Sequence, residues 1–119
     1  MALVHGKDVD GYEMFPGVVR KVVNHGERTM LLELRMSKGA VVPAHQHPHE
    51  QIGYVFSGKV EFRLGDKTEV LGPGDSWLAP GNVEHTLTVI EDCVAVDIFS
   101  PIREDYLTNI PMDPGYLKQ

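Results

Sequence analysis

Between Arg28 and Met36 the chain alternates: Met30, Leu32, Leu34 and Met36 are apolar, and Glu33 and Arg35 between them are charged. Side chains two apart on a strand share a face, so this stretch predicts a half-buried strand. The same period returns in Lys59–Leu64, with Val60, Phe62 and Leu64 inward and Glu61 and Arg63 outward. It returns again in His85–Ile90, where His85, Leu87 and Val89 share one face and Thr86 and Thr88 the other. Valine-rich Val18–Asn24 predicts an edge strand, and Val94–Phe99 a last one. Ile52–Phe56 differs, being apolar on both faces: Ile52, Tyr54 and Phe56 against Gly53 and Val55. Such a strand lies either in the middle of a sandwich or under a partner subunit.

Turn signals separate these runs. Ser37-Lys38-Gly39, Ser57-Gly58, Gly65-Asp66, Leu71–Asp75 and Pro80-Gly81-Asn82 all carry residues suited to tight turns. Gly65-Asp66 stands between Lys59–Leu64 and Thr68–Leu71 as a hairpin link. Ser76–Ala79 reads as a short strand bearing the lone tryptophan, Trp77. Residues 1–17 read as an irregular lead-in, and Pro111 and Pro114 as an irregular tail. Ser100-Pro101 offers an N-cap followed by proline at the first helical position, predicting one helical turn over Ile102–Leu107. The total is about nine short strands joined by tight turns. That predicts an all-β fold, a small antiparallel β-barrel or jelly roll, with a short C-terminal helical turn.

Composition narrows the partners. At 119 residues the chain is read as one domain with a single core. A net charge of −6 argues against nucleic acid and against an anionic membrane surface. No run approaches the roughly 20 apolar residues of a membrane span, and the first twenty residues hold no apolar signal-peptide core. The lone Cys93 excludes an internal disulfide and fits a cytoplasmic location; its neighbours Val94, Ala95 and Val96 make it a buried core thiol. The doubly apolar strand Ile52–Phe56 predicts a homodimer.

The chemistry is concentrated in histidine. His45 and His47 stand two apart, so an extended Ala44–His47 puts their imidazoles side by side, able to grip one metal ion. Gln51 shares their parity and offers an amide oxygen, whereas Glu50 would point away unless Pro48 breaks the alternation. His49 shares the parity too, but follows Pro48 where the chain turns, and is read as lying near the rim. Asp97 is a charge inside the apolar run AVDIF, costly to bury unless paired or near a metal; the alternative is a strand-end residue reaching solvent. Phe99 has the parity of Asp97. Arg103 could reach back over the opening and grip an anion, or be a solvated charge paired with Glu104 or Asp105.

The stretch GAVVPAHQHPHEQIGYVFSG over 39–58 resembles the first motif of the cupin superfamily, with Gln51 where that family most often has Glu. Residues 74–89 resemble its second motif, with Asn82 in place of the usual Gly and Val89 in place of the usual Asn. The resemblance implies His85 as a further ligand. Three imidazoles and one amide form a neutral set, which leaves one divalent ion (Zn, Ni, Mn or Fe(II)) its full charge for Lewis-acid work and disfavours a dioxygenase. HPHEQ at 47–51, YVFSG at 54–58 and DIFSPIREDYL at 97–107 resemble, more narrowly, the pectin-degradation cupins of the KdgF type. That likeness implies metal ligands at His45, His47, Gln51 and His85, and pocket residues at Asp97, Phe99 and Arg103. It implies a small-molecule substrate, a 4,5-unsaturated uronate converted to a linear keto sugar. A small cupin dioxygenase, a polyketide cyclase and a non-enzymatic ligand-binding cupin are the alternative readings.

Overall fold

The computed structural model describes residues 3–108. Among them eight strands follow in order: β1 (Tyr12–Phe15), β2 (Val18–His25), β3 (Met30–Met36), β4 (Val41–His45), β5 (Glu50–Leu64), β6 (Lys67–Leu71), β7 (Ser76–Ala79) and β8 (His85–Ser100). Short 3-10 turns occupy Gly6–Asp8 and Glu104–Leu107. Every pairing is antiparallel. Three expectations need correcting. The lead-in contains β1, which pairs with β2 and removes β2 from the edge. The stretches read as separate strands on either side of Ser57-Gly58 and of Glu91–Cys93 are single long strands, β5 and β8. The last helical turn starts at Glu104, with Ser100 still in β8. The expected tail with Pro111 and Pro114 lies outside the described residues.

The two long strands explain the architecture. A straight strand the length of β8 would span about 53 Å at ~3.3 Å per residue, whereas the longest dimension of the molecule is 37 Å. Both strands therefore bend. Their outer halves pair as Gln51↔Phe99 and Gly53↔Asp97, their other halves as Val60↔Val89 and Phe62↔Leu87, with register shifts between Val55 and Val60. Around the first half runs β1-β2-β3-β8-β5-β7, and around the second β4-β8-β5-β6. Long strands that switch sheets at bulges are how two sheets share corners, and the result is a jelly roll with open edges. Gly58 permits the bend: its φ is +85°, and a Cβ there would fall on the backbone of Asp92 and Cys93. A glycine with positive φ reads as a turn in sequence, and here it is a bulge.

Alternation works as read. Met30, Leu32, Leu34, Val60, Phe62, Leu87 and Val89 are buried, as is the thiol of Cys93. The turn at Asn82 takes φ +63°, a conformation that asparagine tolerates better than most residues with a Cβ. No helix among the described residues is long and apolar enough to cross a membrane.

Candidate functional site

Because β5 and β8 bend in the middle, their ends converge. His85 opens β8 and pairs both with His45 at the end of β4 and with Leu64 at the end of β5. Gln51, the second residue of β5, pairs with Phe99 near the end of β8. The loop after β4 carries His47 into the same space, so the expected strand over Ala44–His47 stops at His45. Ring centroids lie 4.3 Å apart for His45 and His85, 5.0 Å for His47 and His85, and 5.5 Å for His45 and His47. All three rings are buried, and one nitrogen from each falls within 4.8 Å of the others.

Backbone carbonyls fix which nitrogens these are. His45 Nδ1 lies 2.8 Å from Pro43 O, His47 Nδ1 3.0 Å from His49 O, and His85 Nδ1 2.9 Å from Val83 O. An Nδ1–H donating outward leaves the Nε2 lone pair aimed inward, the tautomer that a metal needs. Burial lowers all three imidazoles, His45 to about 4 and His47 to about 3; His85 adds to the effect at His45 and Arg103 at His47. The rings are neutral, and a neutral ring donates only one hydrogen. His47 nonetheless faces a second acceptor: its Nε2 lies 3.1 Å from Gln51 Oε1. Two lone pairs at that distance repel unless a cation lies between them. His85 Nε2 is buried with no hydrogen-bond partner. This donor set fits a metal ion, and the three buried histidines could hold one.

The amide of Gln51 also faces Asp97, where it favours the ionised carboxylate. Asp97 is mid-strand and 3 % exposed, so the reading of a strand-end carboxylate in solvent is set aside. Trp77 Nε1 donates to Asp97 Oδ1 at 2.8 Å. Burial pushes the Asp97 carboxyl up to about 6, against the opposing pull of Gln51, Trp77 and the Arg103 charge. The Trp77 contact depends on a glycine. Trp77, Gly53 and Asp97 sit side by side on β7, β5 and β8, and a Cβ on Gly53 would fall 2.1 Å from the indole ring. The indole lies across the bare glycine to reach the carboxylate. Trp77 and Gly53 were not among the candidates from sequence. The lone tryptophan was the available signal, and its pairing with a glycine was not legible.

Arg103 is 0 % exposed. It pairs with Asp105 at 3.0 Å as one sequence alternative held, yet it is wholly inside and not solvated. Phe99 lies beside it and makes an edge contact with His47, centroids 5.8 Å apart. His49 is half-buried near the rim, its ring 5.3 Å from that of His47, and Glu50 is exposed. His45, Gln51, His85, Asp97, Phe99 and Arg103 line one cavity of about 40 Å³.

The cupin domain family model matches residues 32–99, from β3 to the end of the pocket wall. The chain is a cupin. This cupin is 33 % identical over 97 residues to the pectin degradation protein KdgF of Dickeya dadantii, covering 80 % of this chain and 88 % of that one. Among solved structures it is similar to KdgF from Halomonas sp., at 35 % identity and a TM-score of 0.84, covering 89 % of this chain and 98 % of that one. An RmlC-like cupin from Shewanella frigidimarina NCIMB 400 is 27 % identical with a TM-score of 0.85, over 89 % of this chain and 96 % of the other. The KdgF-type resemblance read from the motifs is thus borne out across most of the cupin's length.

Proposed function

We propose that this cupin takes part in pectin or alginate breakdown, converting 4,5-unsaturated monouronates to linear keto sugars with a divalent ion held by His45, His47, Gln51 and His85. The observation that carries the reading is one juxtaposition. A buried carboxyl, Asp97, and a fully buried guanidinium, Arg103, share a cavity with a neutral histidine cluster. The similarity to proteins named KdgF supports the same substrate class.

When bound, the ion supplies Lewis acidity to an oxygen beside the substrate carboxylate. Arg103 holds that carboxylate through paired N–H donors. Phe99 walls the ring. Opening breaks the bond between C1 and the ring oxygen. The anomeric hydroxyl gives up its proton and becomes the aldehyde, the C1–O electron pair leaves as the enolate at C5, and C4 gains a proton. One proton leaves and one arrives, so the product is an isomer. Asp97, with its carboxyl raised to about 6, is suited to carry that proton near neutrality. The cavity has room for an ion and a few water-sized ligands, so most of a sugar ring lies across its mouth.

The test follows metallated wild type and an unsaturated monouronate by NMR. A linear keto sugar is expected. Unchanged substrate at full metal loading overturns the uronate reading and leaves the cupin fold untouched.

A homodimer belongs to the same proposal. On the outer face Leu78, Ile52, Ile98 and Leu31 stand in register across four strands, each 36–49 % exposed, with Tyr54 and Phe56 beside them. A continuous apolar row on a sheet face suits a second copy, because an isologous contact sets the same row against itself. Sedimentation at tens of micromolar is expected to give a dimer; a clean monomer removes it.

A further inference from the structure

Arg103 belongs to a run of cation–π contacts that begins on β1. Tyr12 on β1 covers Arg20 on β2, ring centre to guanidinium carbon 4.5 Å. Arg20 in turn stands 4.4 Å over the ring of Tyr106, and Arg103 stands 3.9 Å over the same ring. Tyr106 therefore contacts two guanidinium groups. Arg103 also lies 5.3 Å from the centre of Phe99, whose ring touches His47. Aromatic rings and guanidinium groups thus alternate from the β1 edge to the histidine cluster. Arg20 is 3 % exposed and Tyr106 6 %.

The segment carrying Arg103 is packed on the core through Ile102 and Tyr106. It follows the last strand, and the short turn Glu104–Leu107 buries no side chain but Tyr106. Asp105 pairs with Arg103 from its exposed side. The same carboxylate acts on Arg20, tempering the repulsion between the two cations. Cation–π contacts strengthen when water is excluded, and planar guanidinium is the group that stacks.

We propose that Arg20 is a positioning residue of this site: through Tyr106 it fixes Arg103 where the substrate carboxylate is held. The proposal rests on the role assigned to Arg103 above, and its test is independent of turnover. The guanidinium reagent phenylglyoxal is applied to wild type and Arg20→Met, and modification at Arg103 is followed by peptide mass spectrometry. Methionine keeps the apolar bulk and removes the stack. Arg103 is expected to react roughly thirtyfold faster in the variant, the worth of one desolvated cation–π contact. Val89→Ala is the control for general loosening: it truncates the core ten residues back along β8 from Phe99 and is expected to leave Arg103 protected.

Protection unchanged in Arg20→Met, or lost equally in Val89→Ala, overturns the proposal. If Arg20→Met does not fold, Tyr12→Leu carries the same test, since it strips only the half-buried outer plate of the stack. Faster modification of Arg103 is again expected, and none overturns. Where the uronate is turned over, Arg20→Met also raises KM more than it lowers kcat, a split that lost stability alone does not produce. Failure of wild type to turn over uronates counts against the function and leaves the protection result standing.

Discussion

The ends of β5 and β8 and their midpoints obey the same alternation and hold opposite contents. At the midpoints the inward positions are Val55, Val60, Val89, Cys93 and Ala95, all but closed to solvent. At the converging ends they are Gln51, His85, Asp97 and Phe99, joined by His45, His47 and Arg103. Both sets are buried. What differs is how each region meets its cost. The midpoints gain from apolar area removed from water. The ends must satisfy buried polar groups one by one, through carbonyls behind each imidazole and through the Trp77–Asp97–Gln51 chain. On the proposed function the bend serves stability and the ends serve chemistry, so the two should respond separately to substitution.

The largest expected effect lies at the ends. His45→Ala with His85→Ala removes two of the three inward imidazoles and should abolish stoichiometric metal binding, measured by elemental analysis of protein purified without a metal column. Full occupancy in the double variant would place the metal elsewhere. Next comes Gly53→Ala, which forces the indole of Trp77 aside. Overpacking of this kind costs about 1–3 kcal/mol. Tryptophan fluorescence should shift as the hydrogen bond to Asp97 is lost, while the histidine cluster keeps its metal. An unshifted spectrum would mean the indole does not depend on the bare glycine. The smallest effect on chemistry is expected at the midpoint. Val60→Ala opens a cavity where the strands bend and should cost about 2 kcal/mol in denaturant unfolding, with metal affinity unchanged in a chelator competition. Equal losses of affinity and stability would erase the distinction between the regions.

Much of this was legible from the chain because it is local. His45, His47 and Gln51 are separated by two and four positions, and Asp97 announces itself as a charge among valine, isoleucine and phenylalanine. Strand parity then assigns a face. What escaped depends on partners far apart in sequence. Arg103 stands over Tyr106, which also contacts Arg20 from the opposite end of the chain, whereas Glu104 and Asp105 beside it suggested a solvated charge. The row Trp77–Gly53–Asp97 exists only once three strands are in register. Ser57-Gly58 misled for a physical reason: a positive φ serves a turn and a bulge alike.

The claim that the converging ends carry out proton transfer is tested most directly at Asp97. Wild type and Asp97→Asn, brought to equal metal content, are compared by the disappearance of absorbance from the conjugated double bond of an unsaturated uronate. Asparagine can still accept from Trp77 but cannot carry the proton. The account predicts turnover by wild type and a loss of about 10²–10⁴-fold in the variant, the usual worth of a positioned acid–base group. Equal rates in the two proteins would contradict it.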